Sequence, residues 1–290
     1  MKLSQIFAEK RPTLSFEVFP PKTSDTYDSV KFAAEKIASL KPDFMSVTYG
    51  AGGGTSKYTA DIAEDILTKH DVTPLAHLTC VSSDKKTVEN TLFSLKDKKI
   101  ENILALRGDI PSGFENENRE YKYASQLVSD IKKYGDFCVG GACYPEGHPE
   151  DLSVADGIKH LKEKVDAGCE FLTTQMFFDN NILYSFLYKI REAGITVLIV
   201  AGIMPVTNGK QIKRICSLSG TYLPQRFKSI VDRFGDKPSA MKQAGIAYAT
   251  EQIIDLFANG VNAVHVYSMN KPDVAEKIQQ NLSEIILKKD

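Results

Sequence analysis

Leu14-Ser15-Phe16-Glu17-Val18-Phe19-Pro20-Pro21 sets one carboxylate inside an apolar, β-forming run that stops at a proline pair. Two prolines cannot extend a hydrogen-bonded ladder, so the run reads as a short buried strand with Glu17 near its C-terminal end. An ionised glutamate in such a place is costly unless paired, and a neutral one carries a raised pKa. On this stretch alone, a structural ion pair and a functional acid are both open.

Outward from it, short apolar runs rich in β-formers alternate about eight times with longer segments whose apolar residues recur three and four apart. Strands are expected at Leu14 to Phe19, Phe44 to Thr48, Thr73 to Leu78, Ile100 to Leu106, Phe137 to Ala142, Phe171 to Gln175, Thr196 to Ile203 and Ala263 to Tyr267, each followed by helix. Asp84 is placed to N-cap one helix, and Gly168 falls where a left-handed C-terminal residue is expected. Val274, Ile278, Leu282 and Ile285 make an apolar stripe on a last helix. This alternation predicts an α/β chain folded as a (β/α)8 TIM barrel, a single domain over residues 1–290 with no linker marking a second one. A doubly wound open sheet is the alternative.

The 290 residues are 42% hydrophobic and 25% charged, ordinary for a globular protein, and the net charge of -1 gives no electrostatic case for nucleic acid or membrane. Neither a signal peptide nor a spanning segment is apparent, so a cytoplasmic location is expected. Cys80, Cys138, Cys143, Cys169 and Cys216 are odd in number and never form a Cys-x-x-Cys pair, which supports neither a disulfide framework nor a metal site.

In parallel barrels the active site is built at the C-terminal strand ends, and the unusual polar residues gather there. They are Glu17, Thr48-Tyr49-Gly50, His77-Leu78-Thr79, Arg107-Gly108-Asp109, Tyr144 with His148, Gln175, Met204-Pro205, and Tyr267 with Asn270 and Lys271. Any one of them has an ordinary packing role, but delivery of polar groups to one end by so many strands favours a ligand site. Gly50-Ala51-Gly52-Gly53-Gly54-Thr55 opens a helix and could offer backbone N–H groups to an anion, although it matches neither the dinucleotide fingerprint nor the P-loop. Arg107 suits a pyrophosphate, Gly108 a close backbone approach, and Asp109 a fixed negative charge.

These residues resemble the methylenetetrahydrofolate reductases, flavoprotein barrels of folate metabolism, over nearly the whole chain. The likeness rests on Ser-Phe-Glu-Val-Phe-Pro-Pro-Lys at 15 to 22, Ser-Val-Thr-Tyr-Gly-Ala at 46 to 51, His-Leu-Thr-Cys at 77 to 80, Leu-Arg-Gly-Asp at 106 to 109 and Tyr-Pro-Glu-Gly-His-Pro-Glu at 144 to 150. It continues through Leu-Lys-Glu-Lys-Val-Asp-Ala-Gly at 161 to 168, Thr-Gln-Met-Phe-Phe-Asp at 174 to 179, Gly-Ile-Met-Pro-Val at 202 to 206 and Val-Tyr-Ser-Met-Asn at 266 to 270. The resemblance implies FAD bound by Thr48, His77, Leu106, Arg107, Gly108, Asp109, Tyr123, Ala124, Tyr144, His148, His160 and Lys164. It implies a folate held by Glu17, Gln175, Gln211, Tyr267 and Lys271, with Glu17 and Asp109 catalytic.

The reaction so implied is reduction of 5,10-methylenetetrahydrofolate to 5-methyltetrahydrofolate by NAD(P)H in two half-reactions, feeding methionine synthesis. Glu17 would protonate the leaving nitrogen, opening the methylene bridge to an iminium that accepts hydride, and a raised pKa suits that task. Asp109 would favour the developing cation. Well-known bacterial members carry Phe where this chain has Ile215 and Asp where it has Gly157. A C-terminal regulatory domain is not expected, and a homo-oligomer is left open. Two other readings are a metal-dependent barrel lyase, with Glu17, His77, Asp109 and His148 around a divalent ion, and a non-catalytic folate or flavin carrier.

Overall fold

The computed structural model describes residues 1–21, 23–49, 56–81, 83–110 and 119–286. The expected anion loop at 50–55 lies outside the described residues. The strands are β1 (Thr13–Val18), β2 (Phe44–Val47), β3 (Thr73–Thr79), β4 (Asn102–Leu106), β5 (Cys138–Cys143), β6 (Phe171–Thr174), β7 (Leu198–Ile203) and β8 (Ala263–Val266). All pair in parallel in sequence order, and β8 returns to β1, so the sheet closes as a (β/α)8 barrel rather than an open doubly wound sheet.

Helices α1 (Leu3–Ala8), α2 (Tyr27–Ala38), α3 (Ser56–His70), α4 (Lys85–Asp97), α5 (Ala124–Tyr134), α6 (Val154–Asp166), α7 (Asn180–Glu192), α8 (Gly209–Ser219), α9 (Gln225–Phe234), α10 (Pro238–Ala258) and α11 (Pro272–Asn281) accompany the strands. Asp84 caps α4, its side chain accepting from Thr87 N–H at 2.7 Å. Gly168 follows α6 with a φ of 122°, in the region that favours glycine. The last helix is shorter than its apolar stripe suggests: it ends at Asn281, with Leu282 still buried but Ile285 38% exposed. None of the described helices is long and apolar enough to cross a membrane.

Strand alternation separates two cores. Leu14, Phe16 and Val18 point outward and pack with the helices, as do Met45, Val47, Ala76 and Leu78 of the next strands. The opposite face of the sheet fills the barrel: Phe44, Leu75, Leu104, Cys138, Phe171, Val200 and Ala263 cluster near the N-terminal strand ends. The sequence reading missed α1, whose Leu3 and Ile6 join that inner cluster and close the bottom of the barrel. At six residues α1 is too short for a periodic signal to stand out.

Asn102, at the start of β4, anchors this plug. Its side-chain carbonyl accepts from Leu3 N–H at 2.7 Å, and its amide donates to the carbonyls of Met1 at 3.0 Å and Pro74 at 3.1 Å. Removing it takes the side-chain partner from three backbone groups, among them the buried Leu3 N–H. Asn102→Ala is therefore expected to lower unfolding free energy by about 2–4 kcal/mol. Urea titration of the variant against wild type checks this, and a change of only a few tenths would show that α1 is a loose appendage.

Candidate active site

The register of β1 brings Ser15 opposite His265 on β8 and Glu17 opposite Ser46 on β2. All four side chains therefore point into the barrel, above the apolar plug and below the C-terminal rim. His265 is buried, with Nδ1 at 2.8 Å from Ser15 Oγ and Nε2 at 2.9 Å from Ser46 Oγ, and its ring stacks on Phe44. Burial, helped by His77, pushes its pKa down to about 3, so the ring is neutral at physiological pH.

Proton counting then fixes a direction along this chain. Ser15 Oγ donates its single proton to the Val264 carbonyl at 2.9 Å, and so accepts from His265 Nδ1–H. His265 Nε2 accepts from Ser46, which leaves Ser46 without a proton for Glu17. The 3.5 Å contact of Ser46 Oγ with Glu17 Oε2 is long, and a Ser46 proton offered there would favour the carboxylate. Because that proton is already committed, Ser46 presents an acceptor to a protonated Glu17.

Glu17 itself is 18% exposed at the side chain, and burial raises its pKa to about 7, the Ser46 contact opposing this only weakly. His77 Nε2 lies 3.7 Å from Glu17 Oε2. Since burial holds the His77 pKa near 3, this is a contact between an uncharged imidazole and a carboxyl group, not an ion pair. Tyr267, partly buried, donates its hydroxyl to the Thr174 carbonyl at 2.5 Å. Gly202 makes room for it, since a Cβ there would stand 2.5 Å from the Tyr267 oxygen.

Two cavities open at the C-terminal rim. The larger, about 670 Å³, is lined by every predicted cofactor contact: Thr48, His77, Leu106, Arg107, Gly108, Asp109, Tyr123, Ala124, Tyr144, His148, His160 and Lys164. The smaller, about 340 Å³, is lined by Glu17, Gln175, Tyr267, Met176, Met204, Ile215 and Met269 among others. His77, Leu106, Ala142 and Tyr144 line both, so the two spaces adjoin beside Glu17. Two predicted folate contacts fall outside these walls. Gln211 is exposed on α8, and Lys271 donates to Thr207 Oγ1 at 2.6 Å. Asp109, read as catalytic, is exposed and lines only the larger cavity.

The larger cavity is lined by charges of both signs, Arg107, Lys164 and Lys189 with Asp109, Glu146, Glu150, Asp151 and Glu163. Lys164 is partly buried, has its pKa lowered by burial, and donates to the Ala142 carbonyl at 2.6 Å. Arg107 makes a two-pronged pair with Glu150, at 2.5 and 2.9 Å. Gly108, with a φ of 85°, lies so close to Val81 that a Cβ would sit 2.8 Å from its methyl. Thr79 Oγ1 and Tyr49 OH, both on the wall, are buried without a hydrogen-bond partner among the described residues. Tyr123 and His160 lie ring over ring at the mouth, with centroids 6.0 Å apart. At Gly157 a Cβ would come within 2.6 Å of Asp151 Oδ2, so the carboxylate of Asp151 already fills the space a side chain there would take.

The residues expected to share a divalent ion do not gather: among the described residues no three His, Cys, Asp or Glu side chains stand close enough to hold one. Sequence reading missed Ser15, Ser46 and His265. A usable signal existed, since each lies two positions before a rim residue already singled out (Glu17, Thr48 and Tyr267) and so shares its inward face.

A closed parallel barrel with two adjoining rim cavities over an uncharged polar layer places the chain among the α/β barrels that carry their candidate site at the C-terminal strand ends. The methylenetetrahydrofolate reductase family model matches residues 2–283, and the chain belongs to that family. It is 34% identical over 298 residues to a probable methylenetetrahydrofolate reductase (NADH) of Oryza sativa, covering 98% of this chain and 50% of that protein. It is 34% identical over 282 residues to the 5,10-methylenetetrahydrofolate reductase of Escherichia coli, covering 97% of this chain and 94% of that protein. The chain thus spans about half the length of the plant relatives it matches. Among solved structures, an uncharacterized protein from Clostridium thermocellum that binds two copies of 5-methyl-5,6,7,8-tetrahydrofolic acid shares the fold, with TM-score 0.63, 14% identity, and coverage of 98% of this chain and 99% of that one.

Glu17 makes a signed prediction about stability. Its folded-state pKa of about 7 exceeds the ordinary 4.5, so the folded protein binds the extra proton between those values. Stability contributed by this group therefore falls as pH rises through that window and stays low above it, by on the order of 3 kcal/mol in all. Glu17→Gln removes the effect, while the histidine titrations are common to both proteins and cancel. The variant should gain on wild type steadily from the lower to the upper end of the window in denaturant titrations; a pH-independent difference would show that Glu17 is ionised in the folded state.

Proposed function

We propose that this protein is an FAD-dependent methylenetetrahydrofolate reductase, converting 5,10-methylenetetrahydrofolate to 5-methyltetrahydrofolate with NAD(P)H as electron source, in two half-reactions at one site. The observation that carries this reading is a carboxyl with a pKa raised to about 7 standing where a large cavity that holds Arg107 and Lys164 among several carboxylates meets a smaller, thioether-lined one. FAD, when bound, supplies hydride.

The residues of the chain divide the remaining work. Arg107 and Lys164 are suited to hold a pyrophosphate, with Arg107 exchanging its Glu150 partner for phosphate oxygens. Gln175 and Tyr267 face the folate, and Met176, Met204 and Ile215 offer it a deformable apolar surface. Glu17 delivers its proton to the leaving nitrogen of the methylene bridge. Its uncharged neighbours, the neutral His77 and the acceptor Ser46, keep that proton on the acid near neutral pH. Asp109 acts from the rim, as a negative charge toward the cation that forms when the bridge opens. In this reading the catalytic unit is the one barrel. Four buried free cysteines and a fifth half-buried one favour a reducing, cytoplasmic setting for its place in one-carbon metabolism.

The visible spectrum of the purified protein tests the cofactor and both half-reactions: flavin bands should bleach with anaerobic NADH and return with methylenetetrahydrofolate. A colourless protein that FAD does not reconstitute overturns the proposal. In Glu17→Gln, flavin reduction by NADH should proceed at the wild-type rate, while reoxidation by the folate slows by on the order of 10²–10⁴-fold. Equal slowing of both halves would remove Glu17 from the acid role.

A further inference from the structure

The backbone that carries Glu17 is held by groups that no ligand contact explains. β1 ends at Val18, Pro20-Pro21 follows, and β8 stops at Val266, so the ladder between β1 and β8 runs out beside Glu17. Side chains of one turn take over. Ser268 Oγ donates to the Glu17 carbonyl at 2.7 Å. Asn270 Oδ1 accepts from Phe19 N–H at 3.0 Å, and its Nδ2 donates to the Phe19 carbonyl at 2.9 Å.

The turn that presents them is strained. Met269 and Asn270 have φ values of 55° and 52°, and Lys271 N–H closes the turn on the Ser268 carbonyl at 3.1 Å. Consecutive non-glycine residues seldom share this conformation, and it persists only where surroundings over-determine it. Asparagine tolerates the left-handed region, which by itself explains an asparagine at 270. It does not explain an amide that engages both the N–H and the C=O of a single residue across the barrel seam.

We infer that Asn270 is a positioning residue for Glu17: with β2 still paired to Glu17 and Val18 on one side, its amide and the Ser268 hydroxyl replace the bonds to β8 that β1 lacks beyond Phe16 on the other, and keep the Glu17 carboxyl turned into the smaller cavity. This rests on the reading of Glu17 as the acid, and adds what holds it there. The groups facing the carboxyl are Ser46 from β2, His77 from β3, and His265 and Tyr267 from β8, none of them charged near neutral pH. With no opposing charge nearby, the proton affinity of Glu17 follows its depth. A carboxyl freed from the clamp reaches the hydrated mouth and becomes an ordinary acid.

Asn270→Gly is the informative variant, since glycine keeps the turn conformation and loses only the amide. Carboxyl carbon-13 labelling of glutamate in the cofactor-free protein allows a direct titration by NMR, with the resonance missing from Glu17→Gln identifying Glu17. Wild type should titrate near 7, and Asn270→Gly toward 4.5, with melting behaviour close to wild type. In the loaded enzyme, folate reduction should slow by on the order of tenfold to a hundredfold while flavin reduction is unchanged. Asn270→Asp, which can accept from Phe19 N–H but not donate to its carbonyl, should fall between, and it decides the matter if the glycine variant folds poorly. A Glu17 midpoint near 7 in wild type, left in place in both Asn270 variants, overturns the positioning role alone. A wild-type midpoint already near 4.5 overturns the acid reading, and this inference with it.

Discussion

In a closed parallel barrel every strand's inward face is tied to its neighbours', and the register of β1 cannot shift by one residue without expelling Glu17 from the interior. That register sets Ser15 against His265 and Glu17 against Ser46. The whole site depends on it. Leu14, Phe16 and Val18 lock it from outside, since each is buried against the surrounding helices and none could turn inward without losing that contact. From within, the apolar plug closed by α1 fills the lower barrel, so the polar layer has only the upper half to occupy.

What fills that upper half is polar but uncharged. Ser15, His265 and Ser46 satisfy one another and the Val264 carbonyl, which offsets the cost of burying them. The same arrangement leaves Glu17 without a cation. A carboxyl in these surroundings keeps its proton to about pH 7 because ionising it would place an unpaired charge in a poorly hydrated space. The cationic groups, Arg107 and Lys164, sit instead around the larger cavity. Charge of either sign is thus kept to the larger cavity, where carboxylates line the wall as well, and the proton of Glu17 sits in an uncharged layer beside it.

The walls above this frame are built from residues that follow the strands. Ile215, with Met176 and Met204, gives the smaller cavity a flexible apolar wall. On the other side, the carboxylate of Asp151 occupies the space beside Gly157 and lies 3.5 Å from His160 Nδ1. Side chains there can differ without putting the backbone of the barrel at stake.

Strand and helix alternation, the proline pair after Glu17, and polar residues at strand ends are local patterns, and they sufficed to specify the barrel and most of the cavity walls. Leu106-Arg107-Gly108-Asp109 and Tyr144 to His148 were legible for this reason: each follows directly from a strand whose end marks the rim. Gln211 and Lys271 stand off those walls, because their side-chain directions depend on how α8 and the last loop pack, which no spacing records. A raised pKa for Glu17 was open to the chain read in line, but the groups that cause it were not. Ser46, His77 and His265 are brought into the layer around its carboxyl from 29 to 248 residues away. A sequence states which groups exist and which face of a strand they share. Only closure of the barrel decides which of them exclude water and charge from the same few ångströms, and that exclusion is what makes an ordinary glutamate an acid at neutral pH.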